Sequence, residues 1–380
     1  MATNPFRFGA LALDEAFTDR VQEVRQLRAD IINGQDVVIV GPRRFGKSSL
    51  VLRVVGELRK RRVLVAYCDL STTPTKERFA EKLAKAVYDD VASPLFRARE
   101  RTLDVFRGLR VTPRITIDPH DGSVSFGFDV GHAPADVDAT LESLLALPGR
   151  LAADRKRKVA LVLDEFQEVT EIGRNYPRLM RAVFQTQPEV AHVYLGSKRH
   201  LMRRIFSDRN EPFWRSAKQM ELGPIPGGEF AAYIRSRFEE TARAIAEEAL
   251  AAILELTGGH PYATQQLSYF VWEETTARGV AGPETVARGL DRLLESEDNH
   301  FTLVWEDSNR TERLMLLALA AGPARVFSVD FRREYRLPAA TNVQKAITRL
   351  TSRELAKRLE RGTYAISEPF LAQWLARFAE

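Results

Sequence analysis

Two short stretches of this chain carry residue types that do chemistry when they sit together. The first is Gly41-Pro42-Arg43-Arg44-Phe45-Gly46-Lys47-Ser48, a full match to G-x-x-x-x-G-K-[ST]. Glycine at both ends lets backbone N–H groups curl around an anion without a Cβ in the way. A helix that starts at the last residues adds the positive end of its dipole. Lys47 is placed to reach the β- and γ-phosphates of a nucleotide, the Ser48 hydroxyl to coordinate Mg²⁺, and Ser49 follows on the first helical turn. The second stretch is Val159-Ala160-Leu161-Val162-Leu163-Asp164-Glu165, an apolar run that ends in two acids. Ligands gather at strand ends of this kind in open α/β sheets. There Asp164 would hold Mg²⁺ through water, and Glu165 would polarise an attacking water in ATP hydrolysis.

Both stretches need a scaffold, and the flanking pattern supplies one. Residues 37–40, all β-branched, read as a buried parallel strand that feeds the glycine loop. Leu50, Val51, Val54, Val55 and Leu58 then recur at helical spacing over 47–60. Further strands are expected at 63–69, 159–163 and 191–196, with amphipathic helices at 76–91 and 138–153. Alternation of this kind implies a parallel sheet covered on both faces. An insert at 93–137 interrupts it, with an alternating segment at 111–130 that reads as a hairpin turning at Pro119-His120-Asp121-Gly122. After residues 224–228 the pattern is helical, with helices expected at 229–242, 247–257, 261–276 and 283–294. A linker is expected at 298–309. The domain reading is thus a core over 1–223, a helical lid with linker over 224–309, and a separate module over 310–380.

Length and charge support that division. The 380 residues suit two or three domains at roughly 100–200 residues each. The net charge of +5 hides an asymmetry: residues 310–380 hold 13 Lys/Arg against 7 Asp/Glu, leaving 43 against 44 in the rest. The basic excess therefore lies in the last module. No apolar run is long enough to span a membrane, and the first residues lack the pattern of a secretory signal. A lone Cys68 makes no intrachain disulfide, so a cytoplasmic protein is expected.

The basic module reads as helices at 311–321, 329–335 and 340–352, then a hairpin of 355–359 and 363–366, which is a winged helix-turn-helix. Its third helix presents Asn342, Lys345 and Arg349 on the side opposite Val343, Ile347 and Leu350, as a major-groove helix does. Lys357, Arg358 and Arg361 on the wing are set to meet phosphates. Winged helices also mediate protein contacts, and a protein partner or self-assembly stays open.

At this point the sequence resembles the AAA+/STAND class of P-loop ATPases, and within it the archaeal-type and bacterial ATPases related to origin-recognition ATPases. The glycine loop and Asp164-Glu165-Phe166-Gln167 carry the resemblance. So do Phe17-x-x-Arg20-x-x-Glu23, Tyr194-Leu195-Gly196-Ser197 and Gly259-His260-Pro261-Tyr262. The fold implied is α/β: a P-loop NTPase parallel sheet, AAA+/STAND-like, followed by a helical lid and a winged helix-turn-helix domain. The resemblance implies an ATP/ADP and Mg²⁺ site with Phe17, Arg20, His260 and Pro261 near the adenine. It also implies Ser197 as a γ-phosphate sensor, with Arg199 or Arg215 as the phosphate-reading arginine. Two readings follow: an ATP-hydrolysing switch or motor acting on DNA, or a STAND-type signalling ATPase that retains ADP and uses the winged helix for protein contacts or nucleotide locking.

Overall fold

The structure is a computed structural model that describes residues 3–11, 17, 20–91, 113–117, 124–128, 134–173 and 175–377. It divides into two compact units. One comprises Arg20–Gly223, and the other combines Met1–Asp19 with Pro224–Glu380.

The first unit is built on five parallel strands: β1 (Val37–Val40), β2 (Leu64–Asp69), β5 (Val159–Asp164), β6 (Val190–Gly196) and β7 (Lys218–Glu221). Their spatial order is β2-β5-β6-β1-β7. All six residues of β5 and all seven of β6 are buried, which is why both strands are mainly apolar, interrupted only by His192 in β6 and ended by Asp164 in β5. The sheet is covered by α1 (Val21–Ile32), α2 (Lys47–Lys60), α3 (Lys76–Val91), α4 (Pro134–Arg155), α5 (Val169–Ile172), α6 (Tyr176–Phe184) and α7 (Arg199–Ser207). Val40 is in register with both Gly196 and Glu221, so β1, β6 and β7 end at one level. Edge strand β7 escapes the sequence pattern because only Met220 of its four residues is buried. In the insert, β3 (Pro113–Ile117) and β4 (Val124–Phe128) pair antiparallel as the alternation predicts. The proposed turn at 119–122 and the rest of that insert lie outside the described residues.

The second unit contains α8 (Gly227–Glu239), α9 (Glu247–Thr257), α10 (Pro261–Glu274) and α11 (Pro283–Glu306), with a two-residue parallel pair, β8 (Ala244–Ile245) and β9 (Val280–Ala281). The linker expected at 298–309 is not one. Residues 298–306 are the last turns of the 24-residue helix α11. Asp298, Asn299 and His300 lie on the solvated side of that helix. Phe301 is fully buried on the other side, and Asp298 Oδ1 accepts the Trp374 indole N–H at 2.8 Å. Residues 1–19 group with this unit rather than with the sheet. Phe6 is buried against Phe238 and Tyr233, and Phe8 meets Tyr262, Tyr269 and Phe270.

The same unit continues into α12 (Arg310–Ala320), β10 (Ala324–Arg325), α13 (Val329–Glu334), α14 (Ala340–Ser352), β11 (Ala356–Glu360), β12 (Thr363–Ile366) and α15 (Pro369–Ala376). Three helices and a sheet in the order β10-β12-β11 make the winged helix, with β10 added to the expected hairpin. One apolar core runs through lid and winged helix, from Phe230 and Leu267 to Val343 and Trp374. At its polar centre Glu312 is fully buried. Its carboxylate accepts from the Asn309 N–H and Nδ2, and it forms ion pairs with Arg349 Nε at 3.2 Å and Arg353 at 3.6 Å. Arg349 and Arg353 keep access to water, so losing the carboxylate costs about 2 kcal/mol rather than the full penalty of a stranded buried charge. A Glu312→Gln variant should show that loss in urea unfolding.

Candidate nucleotide site

The cradle begins where β1 ends. A Cβ at Gly41 would lie 3.0 Å from the Leu222 carbonyl oxygen, so a side chain there would crowd the loop against the residue that follows β7. Gly46 caps α2 with φ +79°, and Arg44 is also left-handed at φ 64°. Left-handed residues of this kind are the backbone from which concave, anion-binding arrangements of N–H groups are built. Arg43 and Arg44 are exposed, whereas Phe45 is buried beneath the loop. Lys47 is buried, and its ammonium donates to the Gly41 and Pro42 carbonyls at 2.9 Å each. Ser49 is buried behind it on the same helix.

The acids converge on this helix start. Ser48 Oγ donates to Asp164 Oδ2 at 2.7 Å, closing 116 residues of separation. Asp164 Oδ1 accepts the Glu165 N–H at 2.8 Å. A hydroxyl beside a carboxylate is a hard oxygen pair, and these donors fit Mg²⁺. Glu165 is held in left-handed backbone at φ 51°, a conformation that costs a non-glycine residue about 1–3 kcal/mol. Its Oε2 accepts from Ser197 Oγ at 2.8 Å, from the Ser197 N–H at 3.3 Å and from Gln167 Nε2 at 2.6 Å. Ser48, Asp164, Glu165 and Ser197 therefore form a hydrogen-bonded set beside Lys47, at the start of α2 and the ends of β5 and β6.

Tyr67 was not among the sequence candidates. It stands on β2, opposite Val162 in register, and its hydroxyl donates to Asp164 Oδ2. Burial first, and then the adjacent Asp164 charge, push the phenol well above its ordinary value, so it stays a neutral donor. Gln167 was quoted in the sequence only as part of a motif. It is fully buried and steers Glu165.

The other candidates make contacts of their own. Arg20 is buried at φ 52°. It donates to the Gly223 carbonyl at 2.7 Å and the Phe45 carbonyl at 3.3 Å, and it pairs with Glu23 at 3.1 Å. The spaced Arg and Glu of the opening motif are thus one ion pair that ties the phosphate loop to the end of β7. Arg199 pairs with Glu221 at 2.5 Å. Arg215 is exposed at φ 52°, with its guanidinium 5.8 Å from the Trp214 ring. Among the described residues no hydrogen bond joins either arginine to Asp164 or Glu165. Phe17, His260 and Pro261 belong to the second unit. There His260 Nδ1 accepts the Ala263 N–H at 3.3 Å, and Pro261 opens α10. Asn342, Lys345 and Arg349 are exposed on α14, and Lys357, Arg358 and Arg361 on the wing.

A glycine loop between β1 and α2, two acids ending β5 and a following winged helix define a P-loop ATPase domain joined to a winged-helix domain. The family model described as an ATPase domain predominantly from Archaea matches residues 17–267, and a winged helix domain model matches 299–377. The chain belongs to that ATPase family.

Solved structures share the fold. The Walker-type ATPase of Pyrococcus abyssi is 18% identical with a TM-score of 0.64, over 96% of this chain and 97% of its own. The Aeropyrum pernix ORC2 protein is 14% identical with a TM-score of 0.57, over 99% of this chain and 100% of its own. The Aeropyrum pernix ORC1 protein, solved in complex with DNA, is 16% identical with a TM-score of 0.51, over 96% and 94%. No curated protein sequence matches the chain. Among the described residues no helix is long and apolar enough to cross a membrane.

Proposed function

We propose that this chain binds ATP with Mg²⁺ at the phosphate loop, hydrolyses it, and uses the nucleotide state to control a winged helix that contacts duplex DNA. The observation that carries the reading is the convergence of Ser48, Asp164, Glu165 and Ser197 beside the Lys47 loop. Lys47 exchanges its two loop carbonyls for phosphate oxygens, a trade of weak acceptors for charged ones. Ser48 and Asp164 would hold the Mg²⁺, which supplies charge neutralisation on the phosphates. Glu165 orients water and takes its proton, once Gln167 and Ser197 no longer occupy its Oε2. The core shared by lid and winged helix supports a mechanism in which these two parts respond to nucleotide as one body.

The DNA part rests on the exposed basic residues of α14 and the wing, with the DNA complex of ORC1 as a structural parallel. Arg349 is already paired with Glu312, so the clean test spares it. Replacing Lys345, Lys357, Arg358 and Arg361 with Gln should weaken duplex binding. Each lost phosphate contact should flatten the log K against log salt slope by about 0.9. Nucleotide affinity should stay unchanged. Duplex binding by the quadruple variant at wild-type strength would remove DNA from the proposal.

A further inference from the structure

Tyr67 adds a group to the nucleotide site that neither the phosphate loop nor the acid pair accounts for. Its side chain rises from β2, the strand beside β5, and its hydroxyl reaches the same Asp164 oxygen that Ser48 holds. An ionised carboxylate offers about four lone-pair positions. At Asp164 three protein donors take three of them: the Glu165 N–H on Oδ1, and the Ser48 and Tyr67 hydroxyls, which fill Oδ2. Ser48 donates a hydrogen bond to Asp164 and still has lone pairs to offer a cation. The Tyr67 O–H places a second hydroxyl donor on Oδ2, the oxygen that Ser48 already bonds.

We propose that Tyr67 competes with magnesium for Asp164 and so lowers the dependence of nucleotide binding on the metal. The competition has two sides. Were Mg²⁺ bound, Asp164 Oδ2 would have to give up or share its Tyr67 or Ser48 bond to serve the metal, so metal-assisted binding would be weakened. Without Mg²⁺, the phenol partly neutralises Asp164 and lessens its repulsion of a di- or triphosphate. Tyr67 is a positioning residue here, since it acts through Asp164. The inference rests on the proposed nucleotide site and names what tunes it.

The test is the affinity of the full-length protein for a fluorescent ADP analogue, titrated once in Mg²⁺ and once in EDTA. The readout is the ratio of the two dissociation constants, EDTA over Mg²⁺. Tyr67→Phe keeps the ring and removes only the hydroxyl. It should raise the ratio about fivefold, the worth of roughly one hydrogen bond. Tyr67→Leu should raise it in the same direction, which guards against a fold defect particular to one variant. A ratio that stays the same or falls in both variants overturns the competition, a fall meaning that Tyr67 supports the metal instead. A wild-type protein that binds the analogue under neither condition overturns the nucleotide-site reading itself, which is a separate failure.

Discussion

A Glu165→Gln protein should bind ATP with wild-type affinity and hydrolyse it about 10²–10⁴ times more slowly, the range that a positioned general base supplies. The substitution keeps the size of the side chain and removes its basicity. The surrounding bonds define what else changes. Oε2 accepts from Gln167 Nε2, Ser197 Oγ and the Ser197 N–H, so three donors converge on one oxygen. A glutamine can turn its carbonyl oxygen toward them and keep the geometry. Binding should therefore survive while chemistry fails, giving a protein that holds ATP. Phosphate release under steady state and bound nucleotide after gel filtration measure the two halves. Equal hydrolysis rates in the variant and the wild type would remove Glu165 as the base.

Lys47→Ala should act one step earlier and lower ATP affinity about 100-fold or more. In the structure the ammonium is buried and bonded to the Gly41 and Pro42 carbonyls. Those bonds are made by a charged donor to neutral acceptors. With nucleotide present the acceptors become phosphate oxygens, and each charge-assisted bond is worth about 1.5–3 kcal/mol. Alanine loses that gain and lets two loop carbonyls turn to water. The unfolding midpoint should move little, because Leu50, Val51, Val54, Val55 and Leu58 keep α2 packed. Calorimetric titration with ATP and Mg²⁺ separates this loss of binding from the loss of chemistry at Glu165.

Legibility in the sequence followed the distance over which a signal acts. The phosphate loop is local: glycine spacing, a lysine and a hydroxyl within eight residues specify it. The flanking strand and helix follow the apolar pattern. The strand that ends in Asp164 is legible because burial on both faces leaves the five residues before that acid apolar. Tyr67 was not legible, since its partner is 97 residues away and a tyrosine in a strand carries no sign of a second role. Glu312 reads as an ordinary first-turn acid of α12, and only the approach of Arg349 and Arg353 from α14 and the residue after it reveals a buried polar centre. The linker expected at 298–309 failed for a related reason. A solvated helix face and a linker share a composition, and Phe301 alone could not signal the core that Trp374 completes. Arg20 carried a family motif, but its two carbonyl partners show a tie between the phosphate loop and the end of β7.

The account stands on ATP turnover at the Lys47 loop. A single-turnover assay with protein in excess over labelled ATP and Mg²⁺ tests it most directly. The account predicts ADP formation by the wild-type chain, none above background by Lys47→Ala, and bound but uncleaved ATP on Glu165→Gln. A wild-type chain that leaves ATP intact, or a Lys47→Ala chain that cleaves it at the same rate, would contradict the account.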